Sequence, residues 1–370
     1  MQNSILTEIT KENLGAYLSK SEYLNNFVFP KFFTWKPAIS TDFSVIIAQS
    51  GNTIAGDICA LDSSSPEKRR KIVSRLTGEI PPIKLHRKMS ERQIKDYYAL
   101  KAIGASMNDI LSLVYDDVDF VMNGALARLE WLALQAISRF KLELTISNNA
   151  GIITQAAIDF GLPDTHKEVE AAAGNYWTIG AKATNTPISD IETVCSEART
   201  AGIRIKYVLM NRSKWAAFSV STEVSNAVYA LLVSGGITQP GFAVTVEQVN
   251  NFMINRGLPE ILIVDSVVDI ETAEHAVTGT DCWLDTAGAD RYVTFVPDLP
   301  VGSILFTSSP EELTQPKQVI QQKKNNVLVS KWSTVDPTVE YTKGEILAFP
   351  IIERIQECFS LDTENTVYGS

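Results

Sequence analysis

The sequence predicts an α+β chain assembled from more than one packed unit. Three observations carry this expectation: a long amphipathic helix over residues 116–140, an alternation of strands and helices from about 176 to 334, and a strand-rich stretch after 335. The chain has 370 residues, of which 45 % are apolar and 21 % charged. Such a composition buries a sizeable core and does not describe a disordered polymer.

The first segment, residues 1–42, contains an aromatic run at 23–35 that is bracketed by Pro30 and Pro37. A proline-punctuated aromatic run is either an extended arm packed on another body or a local core strand, and the residues leave both open. Residues 43–48 and 54–59 read as two short strands around the turn Ser50-Gly51-Asn52. Composition then shifts at 63–66, and Lys68, Arg69, Arg70, Lys71, Arg75, Lys84, His86, Arg87 and Lys88 follow. This stretch has little apolar content of its own, so 43–95 is expected to project as a long hairpin or loop.

The formal net charge is −10. An acidic surface does not grip phosphates, which need Lys and Arg. Projecting cations on an acidic chain suit the acidic surface of a neighbouring copy better than nucleic acid, with a solvated loop tip as the plain alternative. The candidate contacts between copies are therefore Phe27, Phe29, Phe32, Phe33 and Trp35 of the aromatic run, and Arg69, Arg70, Arg75, Lys84, Arg87 and Lys88 of the basic segment.

In the long helix, Asp116 and Asp117 suit the positively polarised N-terminus. Val118, Val121, Met122, Ala125, Leu129, Leu132, Ala133, Ala136, Ile137 and Phe140 recur at helical spacing, while Arg128, Glu130, Gln135 and Arg139 mark the other side. Its length of roughly 35–40 Å suits a rigid spine. Residues 141–146 and 157–160 read as a hairpin after it, closing the segment 96–175.

In 176–334, Thr186 is a candidate N-cap, Pro187 takes the first helical position and Gly202 ends that helix. A strand is expected over 203–210, a helix capped by Asn211, helices over 222–233 and 246–254, and strands over 260–265, 291–297 and 302–307. The segment 335–370 is expected to return to the spine helix and complete its sheet.

The chemistry-bearing residues do not form a reactive constellation. His86, His166 and His275 sit in three separate segments, and no HxH, HExxH or CxxC spacing occurs. Cys59, Cys195, Cys282 and Cys358 are far apart and suit free, buried thiols in a reducing compartment. Neither a phosphate-binding loop nor a nucleophile elbow is present, and Gly235-Gly236 follows a helix. Asp281, Asp285 and Asp290 share a loop but lack the EF-hand pattern, and Asp116, Asp117 and Asp119 need no cation at a helix start. No cofactor, metal or catalytic residue is expected. The chain also lacks a run of ~20 apolar residues that would cross a membrane, and its first residues do not form a secretory signal.

Dispersed stretches carry a family resemblance by their order. They are residues 26–33 (NFVFPKFF), 81–89 (PPIKLHRKM), 140–146 (FKLELTI), 157–160 (AIDF), 175–177 (NYW), 207–215 (YVLMNRSKW), 293–298 (VTFVPD) and 348–352 (AFPII). The chain resembles tailed-phage capsid proteins of the HK97-like fold, and within them the major capsid protein E family. The resemblance implies an N-terminal arm (1–42), an extended β-hairpin loop (43–95), a peripheral domain with a spine helix and β-sheet (96–175), an axial α/β domain (176–334) and a C-terminal return (335–370).

It also implies a virion protein, not an enzyme, with hexamers and pentamers forming an icosahedral shell around double-stranded DNA after assembly in the host cytoplasm. The partners it implies are copies of the chain, a portal, a decoration protein, and a separate scaffolding protein, since the chain opens directly on the arm. Three other readings stand beside this one: an encapsulin-like nanocompartment shell, an enzyme using residues 176–334, and a tail-tube subunit, which the long helix disfavours.

Overall fold

The computed structural model describes residues 10–47, 74–104, 107–145, 148–149, 157–170, 172, 174–232, 244–271, 277–284 and 288–369. The chain opens with α1 (Lys11–Lys20), whose first turn is capped by the Thr10 hydroxyl accepting from the Asn13 N–H at 3.1 Å. Two short 3-10 turns lead to β1 (Phe33–Pro37). The strands β2 (Asp42–Ile47) and β3 (Ser74–Glu79) pair with each other, and the strand expected at 54–59 lies outside the described residues. There follow β4 (Pro82–Met89), α2 (Glu91–Ala102) and α3 (Met107–Arg139), then the hairpin of β5 (Lys141–Glu143) and β6 (Ala157–Asp159).

The next elements are β7 (Lys167–Val169), α4 (Pro187–Thr200), β8 (Tyr207–Asn211), α5 (Arg212–Ser219), α6 (Thr222–Leu232), α7 (Val246–Asn255), β9 (Glu260–Val264), the hairpin of β10 (Val267–Glu271) and β11 (Val277–Asp281), and β12 (Tyr292–Val296). Asn211 caps α5 as expected, its side chain accepting from the Lys214 N–H at 2.8 Å. Thr186 makes no side-chain cap on α4; Glu223 of α6 instead accepts the Ile188 N–H at 2.7 Å. The last elements are β13 (Gly302–Thr307), α8 (Pro310–Thr314), β14 (Ile320–Lys324), β15 (Val327–Val335), β16 (Thr338–Ile351) and β17 (Phe359–Asp362).

Two sheets result. The larger runs β1-β13-β16-β15-β14, with β4 also paired to β16. β4 takes positions 340–347 of β16 and β13 takes 347–351, so both share the long strand. Asn325 and Asn326 turn β14 into β15 with positive φ at both residues, the geometry that a two-residue hairpin requires. The second sheet runs β7-β17-β12-β8-β9. Thus β16 lies against α3, whereas β17 joins the other sheet.

Helix α3 crosses the larger sheet where side chains are absent. A Cβ on Gly344 of β16 would lie 2.7 Å from the Val121 carbonyl oxygen, and one on Gly124 would meet the Leu85 side chain of β4. The absent side chains let helix and sheet approach closely. Alternation along β8 splits the second sheet between two cores. Val208 and Met210 face Phe218, Phe252 and the other residues of α4–α7. Leu209 faces the core around α3. The Thr294 hydroxyl of β12 donates to the carbonyls of Ile137 and Ser138 at 3.1 and 3.2 Å, tying the end of α3 to this sheet.

Helix α3 starts at Met107, nine residues before Asp116, so Asp116 and Asp117 are not at its N-terminus. Its second half is enclosed on nearly all sides: Glu130 and Gln135 are buried along with the apolar stripe. The expected polar side of this helix faces protein, and Arg128, Glu130 and Gln135 each have specific partners there.

Candidate assembly surfaces

Glu130 receives the aromatic run. Its carboxylate accepts the backbone N–H of Val28 at 3.0 and 3.2 Å and of Phe29 at 2.8 Å, satisfying donors at the start of a 3-10 turn. About three turns earlier along α3, the Asp119 carboxylate accepts the hydroxyls of Tyr17 and Tyr23, both at 2.6 Å. Burial, then the hydrogen bond to Asp119, holds both phenols well above their usual range. Tyr17 also stacks on Tyr115 at 4.2 Å between centroids.

The aromatic residues are accordingly used inside the chain. Phe29, Phe32 and Phe33 are buried, while Phe27 and Trp35 are partly covered. Phe29, Trp35 and Phe306 form consecutive edge-to-face contacts of 6.0 and 5.8 Å, and β1 pairs in parallel with β13. Of the two readings open in the sequence, 33–37 form a strand in the chain's own sheet.

The basic segment divides similarly. Lys84 reaches the buried Glu345 at 3.2 Å. Arg87 is held by Asp116 at 2.9 Å and Asp117 at 3.4 Å, and its guanidinium lies 4.0 Å from the centroid of the Phe120 ring. The two aspartates thus anchor β4 to α3 through a pair 29 residues apart in sequence, for which no local pattern exists. Lys88 is exposed and makes no ion pair among the described residues. Arg75 lies opposite Ile46 in the β2–β3 ladder, and Arg69 and Arg70 lie outside the described residues.

The remaining polar groups serve packing. Gln135 donates to the carbonyls of Cys282 and Leu284 at 2.8 and 2.6 Å, and Arg128 to those of Asn148 and the Asn149 side chain at 2.7 and 2.9 Å. Burial lowers the Arg128 guanidinium to about 10 and raises the Cys282 thiol to about 12 and the Cys195 thiol to about 11, which keeps both thiols protonated and unreactive. His166 stacks on Phe359 at 4.0 Å, and burial depresses its basicity. Asp281 accepts from Asn211 at 3.0 Å and from the Trp283 N–H at 2.9 Å. Among the described residues, no three His, Cys, Asp or Glu side chains gather as metal ligands, and no helix is long and apolar enough to cross a membrane.

The family model described as "Phage major capsid protein E" matches residues 11–363. The chain belongs to the phage major capsid protein E family. This phage capsid protein is a structural component of the virion that self-assembles into the head shell of a tailed phage, not an enzyme. Its mixed α/β fold matches HK97-like capsid structures.

Two solved structures resemble it over nearly full length. One is a protein described as a prophage capsid protein of E. coli CFT073, with 15 % identity and a TM-score of 0.55, covering 96 % of this chain and 99 % of that one. The other is a phage-related protein from Bordetella bronchiseptica RB50, with 13 % identity and a TM-score of 0.54, covering 95 % of this chain and 96 % of that one. At these identities the likeness is one of fold. No curated protein matches the capsid protein by sequence.

Proposed function

We propose that this capsid protein builds its shell as hexamers and pentamers whose copies interlock through the β2–β3 ribbon and the β4 edge. Residues 1–42 act as the arm, 43–95 as the extended loop, 96–175 with 335–370 as the peripheral domain, and 176–334 as the axial domain. The observation that carries this reading is the ribbon itself. Among the described residues β2 and β3 pair with no other strand. Among the ribbon side chains whose burial is described, only Phe43 at its base is buried, stacking on Phe349 at 5.7 Å. A free two-stranded ribbon is marginal in water, and a neighbouring copy supplies the missing surface.

Among the described candidates of the basic segment, Lys88 at the end of β4 remains available to an acidic neighbour. The shell encloses double-stranded DNA without sequence-specific contacts, consistent with the net charge of −10. Its assembly partners are a scaffolding protein and a portal, and a decoration protein on the finished surface. Electron microscopy of the purified full-length chain tests the arrangement. Closed particles with six-fold and five-fold clusters are expected, and a monomer that persists at high concentration overturns it.

A further inference from the structure

The outer edge of the second sheet meets α4 through carboxylates. Glu168 in β7 and Glu170 just beyond it are alternate residues of extended chain and point to one side. Asp190 and Glu197 are two turns apart on one face of α4. Glu168 faces Glu197, and Glu170 faces Asp190. The two pairs therefore form adjacent rungs between strand and helix.

The inner rung is largely shielded from water and short of donors. Glu170 is 5 % exposed. Its Oε1 accepts the Ala172 N–H at 3.2 Å, while its Oε2 has no hydrogen-bond donor among the described residues. Asp190 Oδ2 accepts the Trp177 indole N–H at 2.7 Å. Glu223 of α6 also faces Asp190, but it is engaged by the Ile188 N–H at 2.7 Å and the Ser189 hydroxyl at 2.5 Å. The groups acting on the two pairs are thus Glu197 on Glu168, and Glu170, Glu223 and the Trp177 indole on Asp190; no cation is among them. Two carboxyl groups in contact without a cation repel when both are ionised and bind when they share a proton.

We propose that the seam between β7 and α4 is an acid-closed latch, in which each carboxyl pair holds one shared proton and the seam loosens when the protons leave. Burial first, then the facing carboxylates, push Glu168 and Asp190 up to about 7. A carboxyl raised in this way binds a proton in the folded chain under conditions where the unfolded chain has released it. Its stabilisation is full at the acid end of the window, declines as pH rises from the usual carboxylate range, and is gone above about 7. Because β7 remains laddered to β17 and Ile188, Ile191, Val194 and Ala198 keep α4 in the core, opening loosens the seam without dismantling the sheet.

The test is the thermal unfolding midpoint of the full-length chain between pH 5 and pH 8, compared with the double variant Glu168→Gln, Asp190→Asn. The wild type is expected to lose several degrees more across this range than the variant, which should be the more stable at pH 8. Equal pH slopes overturn the latch. Infrared spectroscopy of the wild type supplies a measurement that needs no variant: a protonated-carboxyl carbonyl band that disappears near pH 7. Its absence at pH 6 overturns the proposal equally.

Discussion

The carboxylate of Glu130 accepts the backbone N–H of Phe29 at 2.8 Å in the interior of the protein. A charged side chain of the long helix thereby fixes the path of a segment 101 residues earlier, and Val28 uses the same carboxylate. The aromatic residues supply area, while Glu130 sets their position along α3.

Replacing this acceptor strands two backbone donors. Glu130→Ala is expected to cost about 2–4 kcal/mol, because each buried donor left without a partner costs about 1–3 kcal/mol. Glu130→Gln keeps a carbonyl oxygen and should cost less than Glu130→Ala. Urea unfolding of the soluble chain measures both.

Close approach of α3 to β16 makes a second position sensitive. A Cβ at Gly344 would press on the Val121 carbonyl oxygen, which belongs to the helix backbone and cannot rotate away. Gly344→Ala should lower stability by about 1–3 kcal/mol, the usual range for overpacking. Gly174→Ala is the control, since a Cβ there meets nothing within 4 Å. A comparable loss at both glycines would contradict the packing account.

The contact of α8 with the larger sheet responds to acid. Burial disfavours the Glu311 carboxylate, but hydrogen bonds from Lys343, Ser330 and Gln321 together outweigh it and hold its pKa below the usual value. The depressed pKa means that its stabilisation is present at neutral pH and is lost as pH falls through and below the ordinary carboxylate range. Glu311→Gln should therefore flatten the acid limb of the stability curve, as read by circular dichroism. This dependence is opposite in sign to that of the Glu168 and Asp190 pairs, so the two limbs separate on one titration.

An exposed cation tests assembly apart from folding. Lys88→Glu should leave the unfolding midpoint within about 0.5 kcal/mol of wild type, as is usual for surface changes. It should slow particle formation followed by light scattering. Arg87→Ala should differ by lowering stability, because Arg87 joins β4 to Asp116 of α3.

What the residues disclosed in advance was mostly local. The apolar spacing of Ile188, Ile191 and Val194, the Asn211 cap and the apolar stripe of α3 depend on neighbours within a few positions, and all appear in the structure, although α3 begins nine residues before the expected start. The pairing of β2 with β3, the parallel union of β1 with β13, and the destination of β17 depend on contacts between distant segments, which periodicity does not encode. The strand expected from 203 begins only at Tyr207. The β14–β15 hairpin was within reach, since Asn325-Asn326 is a turn signal between two strand-like runs. Among the candidate contact residues, the basic and aromatic character was plain in the sequence. Which of them were already engaged was not, because Asp116 reaches Arg87 and Glu130 reaches Phe29 only after α3 is laid across the sheet.

The sharing of β16 has a mechanical consequence. The ladder from Pro82 to Met89 runs beside Leu347 to Glu340, and β13 continues along the same strand. A pull on the ribbon is delivered to β4 along its axis and loads eight successive register positions in shear, not one at a time in peeling. β16 passes that load to β13 and, through it, to β1. With the ribbon held by a neighbouring copy, as proposed, tension between copies would enter each subunit through β4 and cross its larger sheet by way of β16.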